Sequence, residues 1–333
     1  MSKITLYVGL DYHQRAVQVC VMNGRGEILV NTVARNVAEE VVAAAAAAGA
    51  RVEAGIEACT GAANLADELL KLGWHVRLAH PGYVQRLKQS PDKHDWGDAR
   101  LLADLIRVNY LPTVWLAPVD LRDLRYVVRY RQQLVMQRRS AKQRVRAILR
   151  DQRLTGPGNP WTIAWREWLE QKAPLLPQSR WVLQHLLGQL DQLKKEISEV
   201  ERHLQELTLG DPLVQRLLKL RGIGLVTAVT IRAEIGQADR FQSGKQLSRF
   251  CGVSPRNASS GERQADAGLI KAGNPQLRAA LIEAAHRLKH FDPRWEAFAK
   301  RLSTRGKPYC VIIAAIANRW VRWLYHQMKT VSA

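Results

Sequence analysis

The sequence contains few cysteines and no long apolar run. Its four cysteines, Cys20, Cys59, Cys251 and Cys310, lie far apart, and no two of them have C-x-x-C spacing. A disulfide framework or a structural zinc site is therefore not expected, and a reducing cytoplasm fits the chain. No window reaches the roughly 18 uninterrupted apolar residues of a membrane span, and the first residues predict a strand rather than a signal peptide. We expect a cytoplasmic protein with no membrane partner.

Acidic residues are scarce relative to basic ones. The 333 residues include 50 Lys and Arg against 30 Asp and Glu, which gives a net charge of +20. Such an excess predicts a polyanionic partner, because each neutralised phosphate releases counterions. The plain alternative is a basic housekeeping or ribosome-associated protein. The length allows two or three domains with real cores.

The first part of the chain, residues 1–115, predicts an α/β domain. Strands are expected at Ile4–Leu10, Ala16–Met22, Glu27–Val33, Val52–Ile56 and Trp74–Ala79, and helices at Val37–Ala48 and Leu65–Leu72. Three strands in hairpin order are followed by helices and strands in alternation. This order favours an RNase H-like sheet over a doubly wound Rossmann sheet.

The second part, residues 116–208, predicts two long helices. The first spans residues 119–151 and is dense in arginine, including Arg138, Arg139 and Arg144. "TGPGNP" interrupts the helical pattern, and a second helix is expected over Ser179–Leu207, with leucines at spacings of three and four. A coiled-coil arm for assembly and an ordinary helical subdomain both fit this pattern. We expect the three arginines to contact a nucleic-acid backbone.

The third part, residues 209–333, predicts a mostly helical domain. Its segment "LLKLRGIGLVTAVTI" has the helix-hairpin-helix pattern, with Gly222 and Gly224 in the turn. Backbone N–H groups at the start of the following helix can meet a phosphate. The alternative is a helix pair that serves packing alone.

Four acids stand where strands end and where a helix begins. Asp11 and Glu57 each follow an apolar strand, and Asp95 and Asp98 share one face at a helix start. Crowded carboxylates repel one another, so a convergent set needs cations. Mg²⁺ takes carboxylate oxygens, and two such ions clamp a phosphodiester. The set therefore predicts a Mg²⁺ site in a nucleic-acid enzyme.

Plainer interpretations exist for each acid taken alone. Glu57 fits a turn, and Asp98 fits a helix start that the helix dipole favours. Asp92 and Asp104 are nearby alternatives to the second pair. The ordered set in a strongly basic chain is what favours the metal site.

A glycine- and serine-rich loop, "GVSPRNASSGERQADAGLIKAGNP", lies between the predicted helices of the third part. It contains Ser254, Ser259 and Ser260, with Arg256 and Lys271 as nearby cations. A serine attacks phosphate only when a base or metal activates it and cations stabilise the charge. Because Ser-Gly is a common loop dipeptide, these residues alone leave a nucleophilic serine open.

Taken together, the motifs resemble those of the DEDD insertion-sequence transposases, the RNA-guided bridge recombinases. "GLDYHQ", "GIEACTG" and "HDWGDARLLA" are similar to the acidic tetrad of that family, and "LRGIGLVTAVTIRAEIG" and "LSRFCGVSPRNASSG" to its C-terminal domain. The resemblance implies that Asp11, Glu57, Asp95 and Asp98 form the tetrad. It also implies that Ser260, with Ser259 as the adjacent alternative, is the nucleophile.

Further expectations follow from this resemblance. It implies a RuvC-like first domain, double-stranded donor and target DNA as substrates, and a non-coding guide RNA as a partner. It also implies a dimer or tetramer with a composite active site, working on the bacterial nucleoid during transposition. Base pairing as the means of reading sequence fits phosphate-directed features and no evident major-groove helix.

Three other functions compete with this interpretation. A metal-dependent Holliday-junction nuclease would use the same acids without serine chemistry. A sugar-kinase or actin-like ATPase would use "VGLDYHQ" as a phosphate loop, but no second glycine-rich phosphate motif is present. A non-catalytic nucleic-acid scaffold would tolerate alanine at all four acids.

Overall fold

The computed structural model describes residues 4–88, 94–257, 266–270 and 273–329. The chain forms two compact units, Met1–Ala117 and Pro118–Ala333. The predicted boundaries near residues 115 and 208 stay predictions. No helix in the described ranges is long and apolar enough to cross a membrane.

The first unit is built on one six-stranded mixed sheet. Its strands are β1 (Thr5–Tyr12), β2 (Ala16–Met22), β3 (Ile28–Arg35), β4 (Arg51–Glu57), β5 (His75–Ala79) and β6 (Thr113–Val114), and its helices are α1 (Ala38–Ala44), α2 (Ala62–Lys71), α3 (Pro81–Leu87) and α4 (Asp95–Arg107). The strand order is β3-β2-β1-β4-β5-β6. Strands β1, β2 and β3 pair antiparallel, whereas β1, β4 and β5 pair parallel. An α/β first unit with an RNase H-like strand order is therefore confirmed.

The alanine-rich helix of the first unit is shorter than predicted. It stops at Ala44 rather than Ala48, because Ala46 and Gly49 adopt positive φ angles of 47° and 77°. The strand predicted over Trp74–Ala79 does end at Ala79, and Pro81 occupies the first position of α3, where its missing N–H costs no hydrogen bond.

Helix α4 packs unusually close to the centre of this sheet. Gly9 on β1 and Gly55 on β4 are paired in the parallel register. A Cβ added at Gly9 would overlap the backbone of α4, lying 2.5 Å from the Ala103 nitrogen, and one at Gly55 would lie 2.9 Å from Ile106 Cγ1. The two glycines therefore let the helix backbone lie directly on the strands.

The second unit is mostly helical. Its helices are α5 (Val119–Asp151), α6 (Ile163–Glu167), α7 (Pro177–Leu207), α8 (Pro212–Leu218), α9 (Leu225–Ile235), α10 (Gly244–Phe250), α11 (Pro275–Phe291), α12 (Pro293–Thr304) and α13 (Tyr309–Lys329), with a π-helical turn at Trp168–Lys172 and a short strand pair, β7 (Pro255–Asn257) and β8 (Asp266–Leu269). Both long helices lie close to their predicted positions.

Helices α5 and α7 run antiparallel along most of their lengths. Val128 near the start of α5 shares a core with Leu204 near the end of α7, whereas Val145 shares one with Leu186. The pair ends at the tryptophan-rich segment that contains α6. A coiled coil between these helices stays a prediction.

The C-terminal helices surround one large apolar core, with α13 among its main contributors. Ile316 and Trp320 of α13 are almost fully buried in that core. Helix α9 is buried on nearly every side, which explains why its sequence has no amphipathic pattern. Its Glu234 pairs with Arg129 of α5, so α5 is also held to this core by an ion pair.

Candidate active site

Four acidic side chains are placed by the carboxyl ends of two central strands and by the first turn of α4. Asp11 and Glu57 each follow the last residue pair of the parallel ladder, Leu10 with Ile56. Each lies two residues beyond one of the paired glycines, so by strand periodicity it faces α4. Asp95 and Asp98 stand in the first turn of that helix. The close approach of the helix therefore brings its acids to the strand ends.

A histidine contacts two of these acids at once. His13 Nε2 lies 3.2 Å from Asp11 Oδ2 and 3.2 Å from Asp95 Oδ2. One ligand atom from each of the three residues lies within 4.8 Å of the other two. The structure thus brings Asp11 and Asp95 together and adds His13 between them.

The pKa of Asp11 reflects its burial and the nearby carboxylates. Burial raises the pKa of its carboxyl above the ordinary range, and contact with His13 lowers that pKa in part. Charge repulsion from Asp95 and Asp98 raises the pKa further. A bound cation would remove the energetic cost of keeping this carboxylate ionised.

Glu57 belongs to the same neighbourhood. Burial raises the pKa of the Cys59 thiol first, a hydrogen bond with the Ala62 backbone lowers it, and the charges of Glu57 and Asp11 raise it again. Both carboxylates therefore act on one thiol just beyond β4. The side chain of Tyr12, which follows Asp11, lies against Gly61 at the start of α2.

Asp98 has a cation partner of its own. Lys88 Nζ lies 2.7 Å from Asp98 Oδ1, and both side chains are partly buried. Lys88 follows α3, so two consecutive helices contribute to this pair. An ammonium group here neutralises an acid that the sequence predicts as a metal ligand.

Sequence analysis missed both His13 and Lys88. A signal for His13 existed, because it stands two residues after Asp11 and so faces the same side of the extended chain. For Lys88 no signal existed, because its pairing depends on how α3 is oriented against α4.

The donor set fits a hard divalent cation. Carboxylate oxygens are the ligands that Mg²⁺ and Mn²⁺ prefer, and imidazole is accepted by Mn²⁺ more readily than by Mg²⁺. Asp11 Oδ2 and Asp95 Oδ2 each lie 3.2 Å from His13 Nε2. These three side chains would supply the ligand atoms of a divalent ion bound here.

Comparisons with known proteins identify the family of the chain. A model for the DEDD-type transposase family matches residues 8–152, a segment that contains all four acids. A model described as "Transposase IS116/IS110/IS902 family" matches residues 214–300. A "Probable family 20 transposase" of Pseudomonas aeruginosa is 31% identical, over 81% of this chain and 82% of that protein.

The chain belongs to the IS110/IS116 family of insertion-sequence transposases. It is an enzyme of DNA transposition, and its DEDD domain implies dependence on a divalent metal. Two more relatives are the transposase for insertion sequence element IS1111A of Coxiella burnetii, 26% identical over 84% of this chain and 77% of that protein, and the "Pilin gene-inverting protein" of Moraxella lacunata, 30% identical over 41% of this chain and 42% of that protein. The family resemblance inferred from the motifs is confirmed.

The proposed nucleophile of the transposase lies outside the described residues, as do Ser259 and Lys271. In the sequence, Ser260 lies between β7 and β8. Arg256 is exposed on β7. Ser254, the other serine of this loop, has a structural role: its Oγ lies 2.9 Å from Ser248 Oγ and accepts a hydrogen bond from Asn318.

The glycine turn of the transposase connects α8 to α9. Gly222 has a φ of 79°, which favours glycine, and Gly224 is the residue just before α9. Both positions fit the predicted turn. Phosphate contact by this turn and its assignment as a helix-hairpin-helix stay predictions.

The arginine-rich helix of the transposase carries much of its charge toward solvent. Arg139 and Arg144 are exposed and Arg138 is half-buried. Burial, then the charges of Arg138 and Arg146, lower the pKa of Lys142, which lies between them on one face of α5. Cations crowded in this way favour an anionic partner.

Proposed function

We propose that this transposase cuts and rejoins DNA strands with Ser260 as nucleophile and with Mg²⁺ bound by Asp11, Glu57, Asp95 and Asp98. The observation that carries the proposal is the approach of Asp11 and Asp95 to a single point at the sheet edge. Asp98 and Glu57 act electrostatically on the same neighbourhood. The serine assignment depends on the motif resemblance.

The acids have a separable part in this chemistry. A bound divalent cation supplies Lewis-acid polarisation of the phosphoryl oxygens. The chain's own residues determine where the cation would bind. Gly9 and Gly55 allow α4 to lie close to the strands, and α4 carries Asp95 and Asp98 in its first turn. Lys88 supplies positive charge beside Asp98, which offsets part of the repulsion among the carboxylates.

The serine step conserves a phosphodiester bond. The serine hydroxyl loses its proton, its Oγ forms a bond to phosphorus, and one phosphorus–oxygen bond to deoxyribose breaks. The released sugar oxygen takes up a proton. Attack by a sugar hydroxyl on the phosphoserine reverses these steps and rejoins strands without a nucleotide cofactor.

The proposed partners are supported by the charge of the chain and by the motif resemblance. Donor and target DNA are the substrates, and a non-coding guide RNA reads their sequences by base pairing. The net charge of +20 is suited to two polyanions at once. The name of the Moraxella relative denotes inversion of a gene, which requires strands to be rejoined as well as cut. A dimer or tetramer would let the serine and the acids of different subunits meet.

The deciding experiment traps the covalent step. The transposase is incubated with guide RNA, donor and target DNA and Mg²⁺, then denatured and analysed for a protein–DNA adduct. The adduct is expected with wild type and with Ser259→Ala, and it is expected to vanish with Ser260→Ala.

Two other results would change the assignment. Loss of the adduct with Ser259→Ala but not with Ser260→Ala moves the nucleophile by one residue. Strand cleavage without any adduct, together with full cleavage by Ser260→Ala, replaces the serine recombinase with a metal-dependent junction nuclease.

A further inference from the structure

A basic and aromatic groove lies between the last two helices of the chain. It has a volume of about 620 Å³ and lies between one stripe of α12 and one stripe of α13. On each helix the lining residues recur at spacings of three, four and seven, which defines a single face. The lining residues are Arg294, Trp295, Ala297, Phe298, Arg301, Arg319, Arg322, Trp323 and His326.

The charge of this groove is uncompensated. Its four arginines have no carboxylate within salt-bridge distance anywhere in the described part of the chain. The sequence of α13 contains no Asp or Glu, and the one acid of α12, Glu296, does not line the groove. Cations gathered without counter-charge favour an anionic ligand.

Two of the guanidinium groups are held by the same ring. Arg319 Cζ lies 4.1 Å from the centroid of Phe298, and Arg301 Cζ lies 5.4 Å from it. The Phe298 ring is buried in the core, so it is a fixed platform for both. Two like charges beside one ring repel each other, whereas a phosphate that contacts both would accept hydrogen bonds from each.

The aromatic side of the groove offers one accessible ring. Trp295 and Phe298 are buried, whereas Trp323 is only partly buried and packs against the C-terminal core with the rest of its surface. An aromatic ring that packs against the core on one side and remains accessible on the other can stack with a nucleobase.

We propose that the groove between α12 and α13 binds one unpaired nucleotide of a nucleic-acid strand, with its phosphate on Arg301 and Arg319 and its base on Trp323. The volume lies within the roughly 300–1,000 Å³ of ordinary ligand sites. Arg294 and Arg322 lie at the same groove and would contact the neighbouring phosphates.

An unpaired nucleotide fits this groove better than duplex DNA does. A duplex presents phosphates at its surface and keeps its bases stacked inside, so it gains nothing from an aromatic wall. An unpaired base exposes a π-face that stacks on aromatic rings and guanidinium planes. Strand exchange and an RNA partner both supply unpaired bases, and the chemistry of the groove is the same for DNA and RNA.

The site is tested first by photo-cross-linking. Five-nucleotide DNA and RNA strands carrying a single 5-iodouracil are irradiated with the full-length transposase, and the tryptic peptides are identified by mass spectrometry. The cross-link is expected in the peptide of residues 323–329, at Trp323. A cross-link with either strand supports the proposal, and the comparison of the two strands shows whether the groove binds DNA, RNA or both. The absence of any cross-link at Trp323 with both strands overturns it.

Affinity measurements give an independent test. Trp323→Ala is expected to weaken binding of the same strands about tenfold, as the loss of one stacked base does, and Trp323→Phe is expected to restore most of it. Arg301→Gln with Arg319→Gln is expected to reduce the salt slope for single strands by roughly 0.7, because the two arginines share one phosphate. Arg202→Gln with Arg305→Gln removes two exposed arginines outside the groove and is expected to leave that slope unchanged.

Duplex DNA decides between an unpaired nucleotide and backbone contact alone. Trp323→Ala is expected to change duplex affinity by less than twofold. If Trp323→Ala weakened binding of duplex and single strands equally, the proposal of an unpaired nucleotide would be overturned. It would also be overturned if Trp323→Ala bound single strands within twofold of the wild-type affinity.

Discussion

Gly9 of β1 lies so close to Ala103 of α4 that a Cβ added at Gly9 would be 2.5 Å from the Ala103 backbone nitrogen. Two residues after Gly9 comes Asp11, and one to two turns before Ala103 come Asp98 and Asp95. The distance between strand and helix therefore sets the distance between the acids. A glycine with no catalytic group thus controls the geometry of the site.

Replacing Gly9 tests this relationship. Gly9→Ala is expected to lower the free energy of unfolding by about 3 kcal/mol, at the upper end of overpacking costs, because backbone atoms must move. It is also expected to weaken divalent metal binding, measured by calorimetric titration, because a displaced α4 moves Asp95 and Asp98 away from Asp11. Gly24→Ala is the matched control, since nothing lies within 4 Å of a Cβ added there. Unchanged metal affinity in a folded Gly9→Ala protein would contradict the relationship.

The sequence was informative where local periodicity determines position. Strand alternation was enough to predict that Asp11 and Glu57 each stand at the end of an apolar strand. The pairs His13 with Asp95 and Lys88 with Asp98 could not be predicted, because they depend on how two helices are rotated against the sheet. The groove between α12 and α13 was missed because each helix shows only half of it.

Replacing Asp11, whose pKa is raised, is expected to have opposite effects on stability and on strand cleavage. A carboxyl whose pKa is raised by folding stabilises the fold below its unfolded pKa, and this contribution is lost as pH rises through the folded pKa. Asp11→Asn is therefore expected to raise the Tm in metal-free buffer at pH 7 and to reduce strand cleavage at least about a hundredfold. Glu68→Gln, at an exposed position, serves as the control for charge loss.

The same shift sets the pH dependence of metal binding. Protons and metal compete for Asp11, so the affinity for Mg²⁺ is expected to rise as pH increases through the raised pKa and then to level off. Calorimetry at several pH values measures this rise. A wild-type affinity that does not change between pH 4 and about 7 would contradict the role of Asp11 as a ligand.

Lys88 competes with metal for Asp98. Lys88→Met keeps the apolar stem and removes the ammonium group that lies 2.7 Å from Asp98 Oδ1. The affinity for Mg²⁺ is expected to increase about fivefold, as the loss of one competing ion pair worth about 1 kcal/mol implies. Lys71→Met, at an exposed position on α2, is expected to leave the affinity unchanged. A decrease with Lys88→Met would instead show that the lysine orients Asp98 for the ion.

Glu234 links α5 to the C-terminal core through ion pairs. It receives hydrogen bonds from Arg129 Nε at 3.1 Å and Arg129 Nη2 at 3.2 Å, and Arg125 Nε lies 3.9 Å away. Glu234→Gln leaves these cations without their buried partner and is expected to cost about 3 kcal/mol in urea unfolding. Glu201→Gln, which removes a carboxylate that is 37% exposed from its pair with Arg131, is expected to cost less than about 1 kcal/mol. Equal costs would show that burial does not decide the strength of these pairs.

The arginine-rich helix gives the last prediction. Arg138, Arg139 and Arg144 lie on α5 at half-buried or exposed positions. If each contacts one phosphate, replacing all three with Gln is expected to weaken duplex binding regardless of sequence and to reduce the salt slope by roughly 2.7. Binding at several salt concentrations, with scrambled and cognate duplexes, measures both effects. Arg202→Gln with Arg305→Gln, outside this helix, is expected to preserve the slope. A loss of affinity at a constant slope would mean that the three arginines support the shape of α5 rather than contact phosphates, because only phosphate contacts release counterions.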